Sequence, residues 1–329
     1  MRALLIVNPH ATSTTRLRRD VIAHALASAV DLEIVETRYR GHATRLARAA
    51  AAGGYGLVIA LGGDGTVNEV VNGLLRCSAA AAPQAAAPQA AAAPQAAQAP
   101  LAALPTLAAL PGGSANVFVR NLGLSQDPVD ATGQVLEALA AGRYASIGLG
   151  LADDRYFLFN SGMGFDAEVV RAVEGRRAHG RSVSPALYLR MATRQFYRLT
   201  NRRDPAVTLE SPGRGAAEPL LWCTVSNTSP WTYLGRRPVS TNPQASFGTG
   251  LDVFGMRSLA TLRTLATLAQ MLSQRDEPPR GRGIVACHDL PELTLRASRP
   301  VAFQVDGEYM GEREQVRFRS VPDALQVLR

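Results

Sequence analysis

The chain has 329 residues, room for two domains of ordinary size, and its 47% of hydrophobic residues against 19% charged supplies a sizeable core. Its formal net charge of +8 rests on arginine, because the sequence contains no lysine; this excludes a lysine nucleophile and a phosphate loop of the Gly-Lys-Ser/Thr kind. No unbroken apolar run has membrane-spanning length, the apolar part of residues 1–9 is too short for a signal peptide, and Cys77, Cys223 and Cys287 have neither metal nor disulfide spacing, so a cytoplasmic protein with buried, reduced thiols is expected. Arginine suits phosphate ligands or an anionic membrane surface. It also suits nucleic acid, but no helix-turn-helix, zinc-finger or aromatic-basic pattern is present, and no nucleic-acid partner is expected.

In chain order, residues 3–7 read as a strand ending at Asn8-Pro9, 17–29 as a helix, 32–37 as a strand, 43–52 as a helix and 57–61 as a buried strand. This βαβαβ run marks a doubly wound parallel sheet. Asn8 lies at the carboxyl end of the first strand, where open α/β sheets bind ligands; a plain Asn-Pro turn is the equal alternative. Gly62-Gly63-Asp64-Gly65-Thr66 follows the buried strand and opens a helix. Thr66 and Glu69 have capping-box spacing. Backbone N–H groups of such a turn, with a helix N-terminus behind them, suit an anion such as phosphate; the bland alternative is a tight turn that needs glycine.

Residues 79–103 are almost entirely Ala, Pro and Gln, a low-complexity composition expected to be a disordered insertion without function. A strand over 106–110 then runs into Pro111-Gly112-Gly113-Ser114, with Ser114 placed to cap a short helix and Gly123 to end it. The layout repeats that of the first turn, and two glycine turns in one sheet can converge on one ligand.

From about residue 144 the pattern becomes strand-rich. Strands are expected over 145–151, 155–160, 207–210, 220–227, 251–254, 293–296, 301–305 and 315–319, with a helix over 185–199 after an arginine-rich loop. This is a mostly antiparallel second domain, a sandwich or barrel. A helix over 259–272 interrupts the strands, and its leucines are assigned to the core. Tyr188, Tyr197, Trp222, Trp231 and Tyr233 either line a pocket or fill the core, with core favoured for each. Asp306-Gly307-Glu308 fits a hairpin turn, and its two carboxylates admit a functional reading.

Four motifs occur in order: Gly62-Gly63-Asp64-Gly65-Thr66 with Asn68-Glu69, the turn at 111–116, Gly162-Met163-Gly164-Phe165-Asp166, and Asp306-Gly307-Glu308. Together they resemble the diacylglycerol kinase catalytic-domain family, which includes bacterial lipid kinases and the sphingosine kinases. The first motif alone is shared with NAD kinases and, more loosely, phosphofructokinases. The resemblance implies an α/β nucleotide-binding domain over 1–143 of NAD kinase/phosphofructokinase-like fold, carrying the 79–103 insertion. It implies a β-rich lipid-substrate sandwich domain over 144–310, with 311–329 as a C-terminal segment returning to the first. It further implies Mg²⁺-dependent transfer of the γ-phosphate of ATP to a lipid hydroxyl, diacylglycerol by default, at the inner membrane surface, by a cytoplasmic enzyme with peripheral membrane association. A homodimer is compatible with it.

Carried over by motif, Gly62, Gly63, Gly65 and Thr66 line the ATP phosphates, Asn8, Gly113 and Ser114 flank the nucleotide, and Glu69 supports the loop. Asp64 faces the phosphates or their metal. Asp306 is the general base, directly or through metal-bound water, with Glu308 beside it. The family's loop before 251–252 usually carries acids for an auxiliary metal; here 246–250 has none, and Asp252 alone remains as a ligand. The rival readings are a kinase for a soluble substrate such as NAD and a non-catalytic nucleotide-binding module.

Overall fold

A computed structural model describes residues 1–11, 15–79, 104–177, 185–202, 204–213 and 219–329. Nearly all of the 79–103 segment, and much of the arginine-rich loop before residue 185, lie outside the described residues. The chain divides into two compact units, one of Met1–Gly113, Leu122–Ile147 and Asp323–Arg329, the other of Ser114–Asn121 and Gly148–Pro322.

The first unit is the expected α/β layer. Strands β1 (Arg2–Val7), β2 (Asp31–Glu36), β3 (Leu57–Gly62) and β4 (Thr106–Pro111) pair in parallel in the order β2-β1-β3-β4. β3 and β4 are buried along their whole length, which is why they read as continuous apolar runs. Helices α1 (Arg16–Ala27), α2 (His42–Ala52) and α3 (Asp64–Ala79) connect them. α2 and α3 pack closely: a Cβ on Gly73 would lie 2.4 Å from the Thr44 carbonyl oxygen, so only glycine permits that approach. A helix not foreseen in the sequence, α5 (Pro128–Ala140), begins at Asp127, whose carboxylate accepts from the Val129 and Asp130 N–H groups, with Pro128 in the first turn. The short helix α4 (Val117–Asn121) belongs to the second unit; it starts from Asn116, whose carbonyl accepts from Arg120 N–H, and not from the expected cap Ser114.

The second unit is built on antiparallel strands. β7 (Asn160–Gly164), β9 (Trp222–Ser226), β12 (Leu251–Met256), β13 (Ile284–Leu290), β14 (Glu292–Val305) and β15 (Glu308–Leu328) follow the order β13-β12-β9-β7-β14-β15, with β8 (Val207–Glu210) also on β14. The two strands expected at 293–296 and 301–305 are one strand, kept continuous by a register shift between Arg296 and Val301. β15 runs on into the first unit, where Val327 pairs in parallel with Leu107 of β4. Strands β5 (Tyr144–Ala152) and β6 (Arg155–Phe157), the hairpin of β10 (Thr232–Leu234) and β11 (Arg237–Val239), and helices α6 (Phe165–Arg177), α7 (Pro185–Arg194) and α8 (Thr261–Met271) complete the unit.

Two expectations about its core fail. Of the leucines expected in the core over 259–272, Leu259 is buried and Leu272 packs against the core, but those within α8 do not face inward: Leu262, Leu265 and Leu268 are 83%, 55% and 36% exposed, while Thr264, Thr267 and Met271 are buried. Threonine is tolerated inside because Thr264 and Thr267 donate their hydroxyls to the carbonyls of Ala260 and Arg263 one turn back. Tyr188 and Tyr197 are likewise exposed; Trp222 is buried as expected, ringed by Phe165, Trp231 and Phe254. Cys223 and Cys287 are buried free thiols.

Candidate functional site

In the first unit the two glycine turns touch. The Gly112 N–H donates to the Gly62 carbonyl at 2.8 Å. A Cβ on Gly112 would come within 2.7 Å of Gly62 Cα, and one on Gly63 within 3.3 Å of Gly113 Cα. Backbone lies against backbone here, and no side chain stands between. Gly65 is exposed, with nothing within 4 Å of where a Cβ would sit, and Gly113, against Gly63, is half-buried. Helix α3 starts from Gly63, whose carbonyl accepts from the Thr66 and Val67 N–H groups. Asp64, at the first helical position and partly exposed, sets a carboxylate against the positive end of that helix.

Asn8 leaves β1 beside this turn. Its N–H donates to the Leu61 carbonyl, its side-chain amide donates to the Thr66 hydroxyl at 3.1 Å, and its amide oxygen accepts from His10 N–H. Thr66 is buried. The capping box expected from Thr66 and Glu69 does not form. Glu69 instead reaches the start of α2, where its carboxylate accepts from Gly41 N–H at 2.8 Å and Ala43 N–H at 3.2 Å. Glu69 thus secures the α2–α3 pair and not the phosphate turn. Gly41, at φ 85°, brings those two N–H groups round.

In the second unit Asp306 and Gly307 are the two central residues of the β14–β15 hairpin, with Val305 paired to Glu308 and φ of 47° and 74°. Asp-Gly with both φ positive is the tight hairpin turn that the sequence pattern anticipated. The Asp306 carboxylate is caged by backbone: Leu158 N–H donates to Oδ2 at 2.8 Å, and the N–H groups of Phe159 and Asn160 donate to Oδ1 at 3.1 and 3.2 Å. These donors come from the link between β6 and β7. Behind the turn, Gln304 accepts from Gly307 N–H and donates from Nε2 to Asn160 Oδ1 and Asp166 Oδ2, at 2.8 and 2.9 Å. Burial pushes the Asp166 carboxyl up to about 7, against a smaller lowering by the Gln304 hydrogen bond. Glu308 is held by Arg155, whose Nη2 lies 2.7 Å from Oε2, both half-buried. Gly162 and Gly164 let β7 and α6 close on β9: a Cβ would meet the Cys223 carbonyl at 2.6 Å and the Leu221 carbonyl at 2.3 Å.

The sequence motifs pointed to Asp166 only as part of a pattern, and Gln304, Asn160 and Arg155 were not singled out. The signal for Gln304 is faint: it lies on β14, two residues before the turn residue Asp306.

Asp252 stands apart. It is buried on β12, with its carboxylate against His288 Nδ1 at 2.8 and 3.0 Å and accepting from Asp289 N–H at 2.9 Å. Burial raises its carboxyl, and the Asp289 and His288 bonds work against that rise. Its oxygens contact an imidazole and an amide. Among the described residues, no three His, Cys, Asp or Glu side chains cluster in a way that would hold a metal ion. A nucleotide-borne Mg²⁺ asks less of the protein, one or two carboxylates beside the phosphates, and Asp64 at the glycine turn fits that demand.

The model of the diacylglycerol kinase catalytic domain matches residues 2–147, which contain both glycine turns. Over those residues the chain is similar to the diacylglycerol kinase catalytic domain family. A Chromohalobacter salexigens protein named "Probable lipid kinase YegS-like" is 30% identical over 154 residues, a match spanning 47% of this chain and 41% of that protein. The fold of the whole chain follows two crystal structures from Bacillus anthracis str. Sterne. One, assigned as a diacylglycerol kinase, superposes with a TM-score of 0.74 at 22% identity over 99% of this chain and 96% of the other. The second, of a diacylglycerol kinase, gives 0.65 at 19% identity with the same coverage. At these identities the structures establish the fold alone.

Proposed function

We propose that this protein is an ATP-dependent lipid kinase that transfers the γ-phosphate to a lipid hydroxyl, with diacylglycerol as substrate and phosphatidic acid as product. The observation that carries the reading is the bare backbone contact between the turns at Gly62 and Gly112 in a segment similar to the diacylglycerol kinase family. Such a floor takes a polyphosphate chain close to backbone N–H groups and to the start of α3. Gly62, Gly63, Gly65, Thr66 and Gly113 are its lining within the first unit, with Asn8 holding Thr66 in place.

Phosphoryl transfer asks for positioning and charge neutralisation more than for covalent help. In a chain without lysine, backbone N–H groups, arginine and Mg²⁺ supply the positive charge. When bound, Mg²⁺ would offset phosphate charge, with Asp64 as its carboxylate ligand. Asp306 is the base that accepts the lipid hydroxyl proton; its three backbone donors fix the orientation of the carboxylate. Glu308, tethered to Arg155, keeps a second carboxylate beside the turn. The catalytic domain would then span 1–143, with the lipid taken by the β-rich part and the enzyme working at the inner membrane surface.

The test is an acceptor panel. Purified protein is given γ-labelled ATP with diacylglycerol, monoacylglycerol, a sphingoid base and NAD. Label on a lipid, diacylglycerol foremost, is the expected result. Label on NAD alone, or nucleotide binding without any labelled acceptor, overturns the proposal.

A further inference from the structure

We infer that α8 is the face by which the protein docks on an anionic lipid bilayer. The inference rests on the lipid-kinase reading for its purpose and on the helix itself for its geometry. α8 is amphipathic in the wrong sense for a soluble surface. Its hydroxyl residues Thr264 and Thr267 point inward with Met271, and Leu262, Leu265, Ala266, Leu268 and Ala269 point outward. At 3.6 residues per turn these outward positions form one stripe along the helix. The inward threonines need no partner from the core, because each bonds to its own helix.

The rim of the stripe says what covers it. Arg263 is exposed at one edge, where a long side chain can lay its stem along apolar surface and its guanidinium among phosphates. The loop after α8 is tied back to it by two hydrogen bonds between the Gln270 side chain and the Arg280 backbone; it carries exposed Arg275, Arg280 and Arg282 against exposed Asp276 and Glu277, with Glu277 paired to Arg280, and so leaves one net positive charge. At the other end, Arg202 donates to the Leu259 carbonyl and the Thr261 hydroxyl and lies 4.7 and 5.9 Å from the ring centres of Phe196 and Tyr197. That contact brings exposed Tyr197 to the start of α8. The segment from 185 to 202 that delivers it holds Arg190, Arg194, Arg198 and Arg202 and no acid. An apolar stripe rimmed by arginine matches the acyl boundary and headgroups of an anionic leaflet. A protein partner would need its own acidic frame. A transmembrane anchor is a different matter: among the described residues no helix is long and apolar enough to cross a membrane.

The experiment is vesicle co-sedimentation of the full chain with Leu262→Gln/Leu265→Gln/Leu268→Gln as the variant. All three positions are exposed, and thermal unfolding checks that the fold survives. Wild type is expected to sediment with phosphatidylcholine–phosphatidylserine vesicles, less with phosphatidylcholine alone, and less at high salt. The triple variant should bind the anionic vesicles at least about tenfold more weakly. Arg263→Gln should cut binding by a smaller factor and flatten its salt dependence. Phosphorylation of a short-chain, water-soluble diacylglycerol should be unchanged in the triple variant, while that of vesicle-embedded diacylglycerol falls. Equal vesicle binding by variant and wild type overturns the inference, as does a wild-type dimer in light scattering that the triple variant converts to monomer. If neither protein phosphorylates any lipid, the kinase reading fails, and the sedimentation difference still decides the docking face.

Discussion

The two halves of the proposed chemistry are built in opposite ways. The phosphate turns of the first unit are made of what is missing: Gly63 and Gly112 remove side chains so that backbone can meet backbone, and Gly62 makes room for the Thr66 side chain. The Asp306 turn of the second unit is made of what is added. A carboxylate, an amide, a second buried carboxylate and three backbone donors interlock around it. A surface of bare backbone suits a ligand that brings its own charge, and a caged carboxylate suits a proton transfer whose geometry must be fixed before substrate arrives.

The contrast can be broken at its ends. Asp306→Asn keeps the shape and removes the base, so the transfer rate should fall by about 10²–10⁴-fold while nucleotide binding survives. Steady-state kinetics beside a nucleotide titration reads both, and near-wild-type turnover would remove Asp306 from the chemistry. Asp166→Asn probes the cage behind it. The folded carboxyl, at about 7, lies above its ordinary 3.8. The native state therefore keeps a proton that the unfolded chain releases. The stability this gives is complete below about pH 4 and is lost as the pH rises through 7. The asparagine variant should escape that loss, gaining on the order of 2–4 kcal/mol relative to wild type between pH 5 and pH 8. Urea unfolding at the two pH values measures it, and parallel pH dependence in both proteins would contradict the buried charge.

The backbone-built half should respond differently. Gly112→Ala puts a methyl 2.7 Å from Gly62 Cα, where nothing flexible can yield. A cost of about 1–3 kcal/mol is expected, with nucleotide affinity lost and the Asp306 cage untouched. Thermal unfolding and nucleotide titration check it. Glu69→Gln should be the mildest change, about 0.5–1 kcal/mol from the weakened start of α2, with the KM for ATP unaltered. A large rise in that KM would return Glu69 to the phosphate turn.

Legibility in the sequence follows the same division. The parallel sheet and both glycine turns were readable because their causes are local: unbroken apolar strands, glycine where backbone must approach, a helix start directly after. The Asp-Gly hairpin was readable for the same reason. The cage was not, because Asp306 takes its donors from Leu158, Phe159 and Asn160, far away in the chain, and no periodicity carries such a pairing. Glu69 misled through spacing: three residues after Thr66 it mimics a capping box, yet the α2 N-terminus, reachable only in three dimensions, has the stronger claim on its carboxylate. In α8 the leucine pattern gave the right helix but the wrong side for Leu262, Leu265 and Leu268, with Leu259 and Leu272 at its ends in the core as expected, because periodicity places a stripe without saying which side meets the core.

The most direct measurement is the stoichiometry of phosphate transfer by the purified wild-type protein given γ-labelled ATP, Mg²⁺ and diacylglycerol in mixed micelles. One phosphatidic acid formed for each ATP consumed is the predicted result. ATP consumed with inorganic phosphate as the only product, or ATP bound and left intact, would contradict the account.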